Sequence, residues 1–362
     1  MGRRLAALAA AALLLTGCGW MDGSYVSVTP HQVGLDQPPS GNARTVSSYT
    51  ELRSALIALV DEGSTEGLFS LAEYPREEVL EDMDRAIAYV TGTYPVGSYA
   101  VESIDYNFGT GLGASAMAVD ITYRHSREEI DQIRTVRWIS GAEDAIADAM
   151  DECADKLVLQ ISGYRDTDFT EFAREYALEY PDRVMEAPTV LARNYPNRSD
   201  TRVVEILFFY TTDRDELRSM REQVQPVFSS AALYVSGQAE DRTKFSQLHA
   251  FLTERYDNYR LEFSATPAYS LLCQGVGDSR AFSQVYTAMC TRIGLESMIV
   301  TGTRDGAKHW WNLVNIDGSW YHVDLLGSRN FQPLTDNQMA GYDWDRTAYP
   351  PSNGAANNFV KS

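Results

Sequence analysis

Three features of the 362-residue chain predict an α+β protein built from several units. The N-terminal half repeats one strand, helix and hairpin plan at a spacing of roughly 90 residues. The C-terminal third runs from two helical stripes into strands joined by an Asp-Gly turn. A leader and a Pro-, Gly- and Ser-rich stretch precede both, and length alone allows two or three domains.

Residues 1–17 read as a secretory signal. Arg3 and Arg4 precede an apolar run from Leu5 to Leu15, which is too short and too sharply ended to span a membrane. Leu15-Thr16-Gly17-Cys18 resembles a bacterial lipobox, which implies removal of residues 1–17 and lipidation at Cys18. The expected location is therefore extracytoplasmic, with the lipid anchored in the cell membrane. Residues 18–44 lack an apolar period and read as a tether, which as a coil would span roughly 25–30 Å. The signal carries two arginines and no acid, so the formal charge of −19 becomes about −21 without it. Such a surface repels nucleic acid and favours solubility or basic partners. Beyond Cys18 only Cys153, Cys273 and Cys290 remain, too few for a disulfide framework. Their spacing matches no CxxC or HExxH pattern, so neither metal nor cofactor is expected.

In the N-terminal half, GLFSLAEY and KLVLQISGY each end on a tyrosine, Tyr74 and Tyr164. Tyr106 then matches Tyr195, and Tyr123 matches Tyr210. Each copy closes through a strand-to-helix capping box, Ser126-x-x-Glu129 and Asp213-x-x-Glu216, in which the cap oxygen takes a free N–H of the first turn. Two α+β repeats are expected, at 45–140 and 141–236. Neither holds a clustered His, Cys and carboxylate set, and His125 reads as a surface residue beside a cap.

The C-terminal domain is expected over 237–362. Phe245, Leu248, Phe251, Leu252 and Tyr256 share a helical face, with His249 adjoining it as a satisfied, partly buried residue. A second helix starts at Ser279, capped by Asp278 or Ser279, and stops at Gly294. A strand follows in ESMIVTG, then a turn in TRDGA. The hairpin WWNLVNIDGSWYHVD next turns at Asp317-Gly318. His309 opens its first strand and Asp324 closes its second, so the hairpin brings imidazole and carboxylate together, as an orienting pair requires.

His309-Trp310-Trp311-Asn312-Leu313-Val314 and Trp320-Tyr321-His322-Val323-Asp324 resemble motifs of the transglutaminase-like superfamily, whose core is shared with papain-like cysteine proteases. The GYDWDRTAYP segment and the duplicated half are similar to those of Gram-positive lipoproteins carrying this domain. The resemblance implies a papain-like fold with a nucleophile at a helix N-terminus, and catalytic roles for His309 and Asp324. Ser279-Arg280-Ala281-Phe282 occupies the place of the family's Cys-x-Gly-Tyr, so Ser279 stands where the thiol belongs. Cys273, the alternate nucleophile, precedes the Gly275-Val276-Gly277 loop and is expected behind the cleft, packed as a small apolar group.

The substitution matters because a thiol at a helix start ionises at neutral pH, whereas a hydroxyl needs a base during attack. A relaxed G-x-S-x-G elbow at Gly277–Ala281 fits less well, since such hydrolases order the triad Ser, acid, His, while here His309 precedes Asp324. Two functions stay open. One is a degenerate member binding peptide, protein or cell-wall material. The other is an acyl-transfer enzyme or amide hydrolase using Ser279, or Cys273, with His309 and Asp324.

Overall fold

The computed structural model describes residues 43–108, 116–258 and 264–354. The expected signal, Cys18 and the tether up to residue 42 lie outside the described residues. Arg44, expected at the end of the tether, already belongs to a strand.

The first sheet is built from β1 (Arg44–Thr45), α1 (Tyr49–Asp61), β2 (Glu66–Ser70), α2 (Arg76–Gly92), α3 (Pro95–Ala100), β3 (Val101–Phe108), β4 (Ala116–Tyr123) and α4 (Arg127–Asp131). Helix α1 starts where the Ser48 side chain accepts from the Glu51 amide, and its stripe of Leu52, Leu56, Leu59 and Val60 is buried. The strands run in the order β1-β2-β4-β3, with a parallel first pair and antiparallel pairs after it. A second sheet uses β5 (Arg134–Val136), α5 (Ile139–Asp151), β6 (Lys156–Ile161), α6 (Phe169–Glu179), β7 (Thr189–Tyr195), β8 (Arg202–Phe209) and α7 (Arg214–Tyr234). Its order, β5-β6-β8-β7, has the same pattern of one parallel and two antiparallel pairs. Ser126 and Glu129 form the reciprocal capping box of α4, and the Asp213 carboxylate caps α7 through the Asp215 and Glu216 amides.

The two sheets meet through apolar and charged contacts. Val158 and Val203 of the second sheet join the core of the first. Lys156 Nζ lies 3.0 Å from Glu129 and 3.2 Å from Glu205. His125, expected as a surface residue, stacks on Tyr99 at 4.1 Å between ring centroids, because α3 presents that ring beside the cap.

The C-terminal part contains α8 (Asp241–Thr253), β9 (Asp257–Asn258), α9 (Pro267–Gln274), β10 (Val276–Gly277) and α10 (Ser279–Arg292). It continues through β11 (Ser297–Arg304), β12 (Ala307–Ile316), β13 (Ser319–Val323) and β14 (Tyr342–Asp343). Helix α10 is buried on nearly all sides, polar Ser283, Gln284 and Thr287 included, so it is a central core helix. Burying each of Phe282, Val285, Tyr286 and Met289 contributes roughly 1.5–3 kcal/mol. Helix α7 adds Leu217, Val224 and Phe228 to this same core.

Strands order as β13-β12-β11-β14. Alternation along β12 sends Val314 and Ile316 into the α10 core, and Trp311 and Leu313 into a second cluster with Trp320 and Trp344. Asp317 and Gly318 both have positive φ, 52° and 81°, as a tight hairpin turn requires. Gly302 must lack a side chain, since a Cβ there would lie 2.2 Å from the Asp343 carbonyl oxygen of β14.

His249 departs from expectation. It is fully buried on α8 with Nε2 lacking any hydrogen-bond partner among the described residues, and Phe331 stands edge-on to its ring. Burial pushes its pKa down from 6.5 to about 4, against the opposing pull of Asp324 and the Ser328 backbone. With the folded value below the unfolded one, the unfolded chain binds the proton first, so stability present above pH 6.5 is lost as pH falls toward 4. Urea unfolding across that window is expected to show this residue contributing a loss of roughly 3 kcal/mol. His249→Leu should flatten the slope.

Candidate active site

Gly275 ends α9 in the left-handed conformation, at φ 84°, and the chain passes through the short β10 into α10. Asp278, not Ser279, caps α10: its Oδ1 accepts from the Ala281 amide at 2.9 Å. Ser279 is therefore the first residue of the helix, released from capping. It is 8% exposed, and its Oγ accepts a hydrogen bond from the Trp310 amide of β12 at 3.3 Å. No hydrogen bond joins Ser279 to His309 among the described residues. Alternation explains the gap, because His309 shares the Trp311 face of β12 while Ser279 meets the strand at the next residue. Both side chains nevertheless line one cleft of about 760 Å³, together with Asp278, Arg280, Lys308 and Trp310.

The hairpin brings His309 and Asp324 together, with Nε2 and Oδ2 2.9 Å apart. Asp324 Oδ2 also accepts from Tyr342 at 2.6 Å and from Arg304 at 3.0 Å, and Oδ1 accepts from the Leu326 amide at 2.9 Å. Burial pushes the Asp324 carboxyl up, but the bond and charge of His309, with Tyr342 and the Leu326 amide, outweigh it and hold the group below its ordinary range. With Nε2 committed to Asp324, Nδ1 is the ring nitrogen of His309 left to act as a base.

Trp311 supports His309 from beneath, its ring 6.2 Å from the imidazole and nearly parallel. The Trp311 indole N–H donates to His322 Nδ1 at 2.9 Å, so His322 carries its proton on Nε2 and donates it to Asp336 at 2.8 Å. Burial lowers the His322 pKa, favouring this neutral form, although Asp336 pulls the other way. On the helix side, Asn312 donates to the Ser283 carbonyl and to Thr287.

Cys273 lies in the last turn of α9, outside the lining of the cleft. It is exposed rather than packed: α9 buries Ala268, Leu271 and Leu272, and helical spacing turns Cys273 outward. Cys153 and Cys290 are buried free thiols, pushed up in pKa by burial. Cys18 lies outside the described residues. Among the described residues no group of three or more His, Cys, Asp or Glu is placed to hold a metal ion, and no helix is long and apolar enough to cross a membrane.

Sequence reasoning missed Arg304 and Tyr342. The sequence places Arg304 in a turn, yet it is the last residue of β11, and the turn begins at Asp305 and Gly306, both at positive φ. Tyr342 arrives on β14, a two-residue strand with no periodic signal.

The sequence profile of the transglutaminase-like superfamily matches residues 229–325, the stretch from the end of α7 to just past Asp324. The chain carries a transglutaminase-like domain. Among solved structures it is similar to a TGase at 11% identity, over 58% of this chain and 61% of that one, with a TM-score of 0.27. A proposed cysteine protease from Cytophaga hutchinsonii matches at 14% identity over 44% of this chain and 73% of its own, with a TM-score of 0.26. A proposed protease from Parabacteroides distasonis matches at 10% identity over 59% and 47%, with a TM-score of 0.24. The chain thus spans less than two thirds of the TGase it resembles. Among curated protein sequences none matches.

Within the transglutaminase-like domain, Asp324→Asn would remove the anion that His309, Arg304 and Tyr342 share. It is expected to lower the unfolding free energy by about 2–4 kcal/mol, measured by urea titration at neutral pH. Because the folded-state pKa of Asp324 is depressed, its contribution is present above the ordinary carboxylate range and is lost as pH falls below about 4.

Proposed function

We propose that the transglutaminase-like domain is a degenerate member of its superfamily whose cleft binds peptide or cell-wall peptide material without turning it over. The observation that carries this reading is the state of Ser279: its Oγ takes the Trp310 amide hydrogen bond and has none to His309. A hydroxyl nucleophile depends on an adjacent base to remove its proton during attack, whereas the pKa of a thiol at a helix start is lowered by the helix dipole and a neighbouring imidazolium. The cleft, at about 760 Å³ and with an indole on one wall, has the size and mixed lining of a ligand site. In this reading the protein is extracytoplasmic and lipid-anchored at Cys18, and its two four-stranded sheets of matching order are copies of one unit.

Two observations favour an active enzyme instead. Asp278 caps α10, so Ser279 has no capping duty to explain its presence, and the His309–Asp324 pair is intact. In that case Ser279 attacks an amide carbonyl, His309 Nδ1 takes the hydroxyl proton and later delivers it to the leaving amine, and Asp324 steadies the imidazolium.

The purified mature chain, assayed on peptide and amide substrates with and without an amine acceptor, is expected to show no turnover. Ser279→Cys should gain alkylation by iodoacetamide at pH 7, faster than a free thiol by about tenfold or more. Turnover by the parent chain that disappears in both His309→Ala and Ser279→Ala would sink the degenerate reading in favour of the enzyme.

A further inference from the structure

Arg280 follows Ser279 on α10 and lines the same cleft. It is only partly exposed, and among the described residues it forms no hydrogen bond and no ion pair. Asp278 is the one acid described as acting on it, and the Asp278 side chain is already engaged by the Ala281 amide. Arg174 of α6 acts on Arg280 as a like charge. The side chain also borders a small cavity beside Ala177 and Pro181, so the second sheet's helix limits where the guanidinium can move.

Lys308 lines the same cleft, exposed and without an ion-pair partner among the described residues, its Nζ 4.8 Å from the centre of the Trp310 ring. Arg304, by contrast, is committed to Asp324. Arg280 and Lys308 thus form no ion pair among the described residues, although the same cleft is also lined by the carboxylates of Asp278 and Asp305. The amides of Ser279 and Arg280 form no hydrogen bond among the described residues, and the dipole of a 14-residue helix favours negative charge at that end.

A partly desolvated guanidinium without an ion-pair partner gains from any planar anion that reaches it, since five N–H donors in a rigid fork match a carboxylate with two parallel bonds. We propose that Arg280, assisted by Lys308, is a specificity residue that selects ligands bearing a carboxylate next to the segment lying over Ser279. This rests on the reading of the cleft as a peptide-binding groove and names the chemistry that groove prefers. The carboxylate is supplied by an acidic side chain or by a free chain terminus. A ligand carrying the matching amide in its place leaves Arg280 unpaired and binds more weakly.

The test uses fluorescein-labelled heptapeptides of alanine titrated with the mature chain and followed by anisotropy. One carries a central Glu and an amidated end, one a central Gln and an amidated end, and one a central Gln with a free C-terminus. The Glu peptide, the free-terminus peptide or both are expected to bind about tenfold or more tightly than the amidated Gln peptide. Which of the two does so identifies the source of the carboxylate. Arg280→Gln should abolish the preference, and Arg280→Lys should keep part of it, with thermal melting confirming that both variants fold. Equal binding of all three peptides would overturn the carboxylate preference and leave the groove reading standing.

A second measurement separates the two failures. Phenylglyoxal modification of Arg280, mapped by mass spectrometry, should be slowed by N-acetylglutamate and not by N-acetylglutamine. Protection without binding of any peptide would overturn the peptide groove and retain the carboxylate subsite. Absence of both protection and peptide binding would overturn the two together.

Discussion

The Asp324 carboxylate is the point on which the cleft is assembled. Its two oxygens collect donors from β11, β12 and β14 and from the backbone just after β13, so one anion ties every strand of the C-terminal sheet to one end. A buried carboxylate with fewer donors would be strongly unfavourable, and here each approach is protected by close packing. Gly302 lets β14 come near enough for Tyr342 to reach the anion. A side chain at Gly327 would lie 3.1 Å from Asp324 itself. The same contact fixes the imidazole of His309 by one nitrogen and turns its other edge free.

Beneath that anchor, Trp311 links two histidine–aspartate pairs of different character. His309 with Asp324 opens onto the cleft, whereas His322 is fully buried, holds the indole by its N–H and reaches outward to the half-buried Asp336. The indole in turn gives the His309 ring a flat, rigid support. This site differs from a thiol enzyme in the hydroxyl at the helix start and in the absence of a hydrogen bond from it to His309 among the described residues. The His309–Asp324 pair and the helix start are present, and the hydroxyl at that start accepts from the Trp310 amide. In the proposed reading the cleft binds its ligand while the nucleophile stays unactivated.

Much of this was legible from residues alone. The spacing of Ala281, Phe282, Val285, Tyr286, Met289 and Cys290 marked α10, and the Asp317-Gly318 turn set the register that joins His309 to Asp324. The transglutaminase-like motifs were readable because they combine those two strong local signals. Helix α9 was not foreseen, since Pro267–Gln274 is only eight residues long and is defined by packing of Leu271 and Leu272 against the core. Without that helix the outward direction of Cys273 could not be read. His249 was misjudged because periodicity placed it beside an apolar stripe and said nothing of Phe331, which arrives from a distant loop. Arg304 and Tyr342 escaped for a related reason: their role lies in an anion shared across strands, and no spacing within one segment encodes it.

The direct measurement of the central claim is the reactivity of Ser279 itself. Incubation of the mature chain with a fluorophosphonate, followed by intact-mass analysis, reports whether the hydroxyl is activated by His309, independently of any substrate. The account predicts no adduct on Ser279, in the parent chain or in His309→Ala. A stoichiometric adduct on Ser279 that forms in the parent chain and disappears in His309→Ala would contradict it.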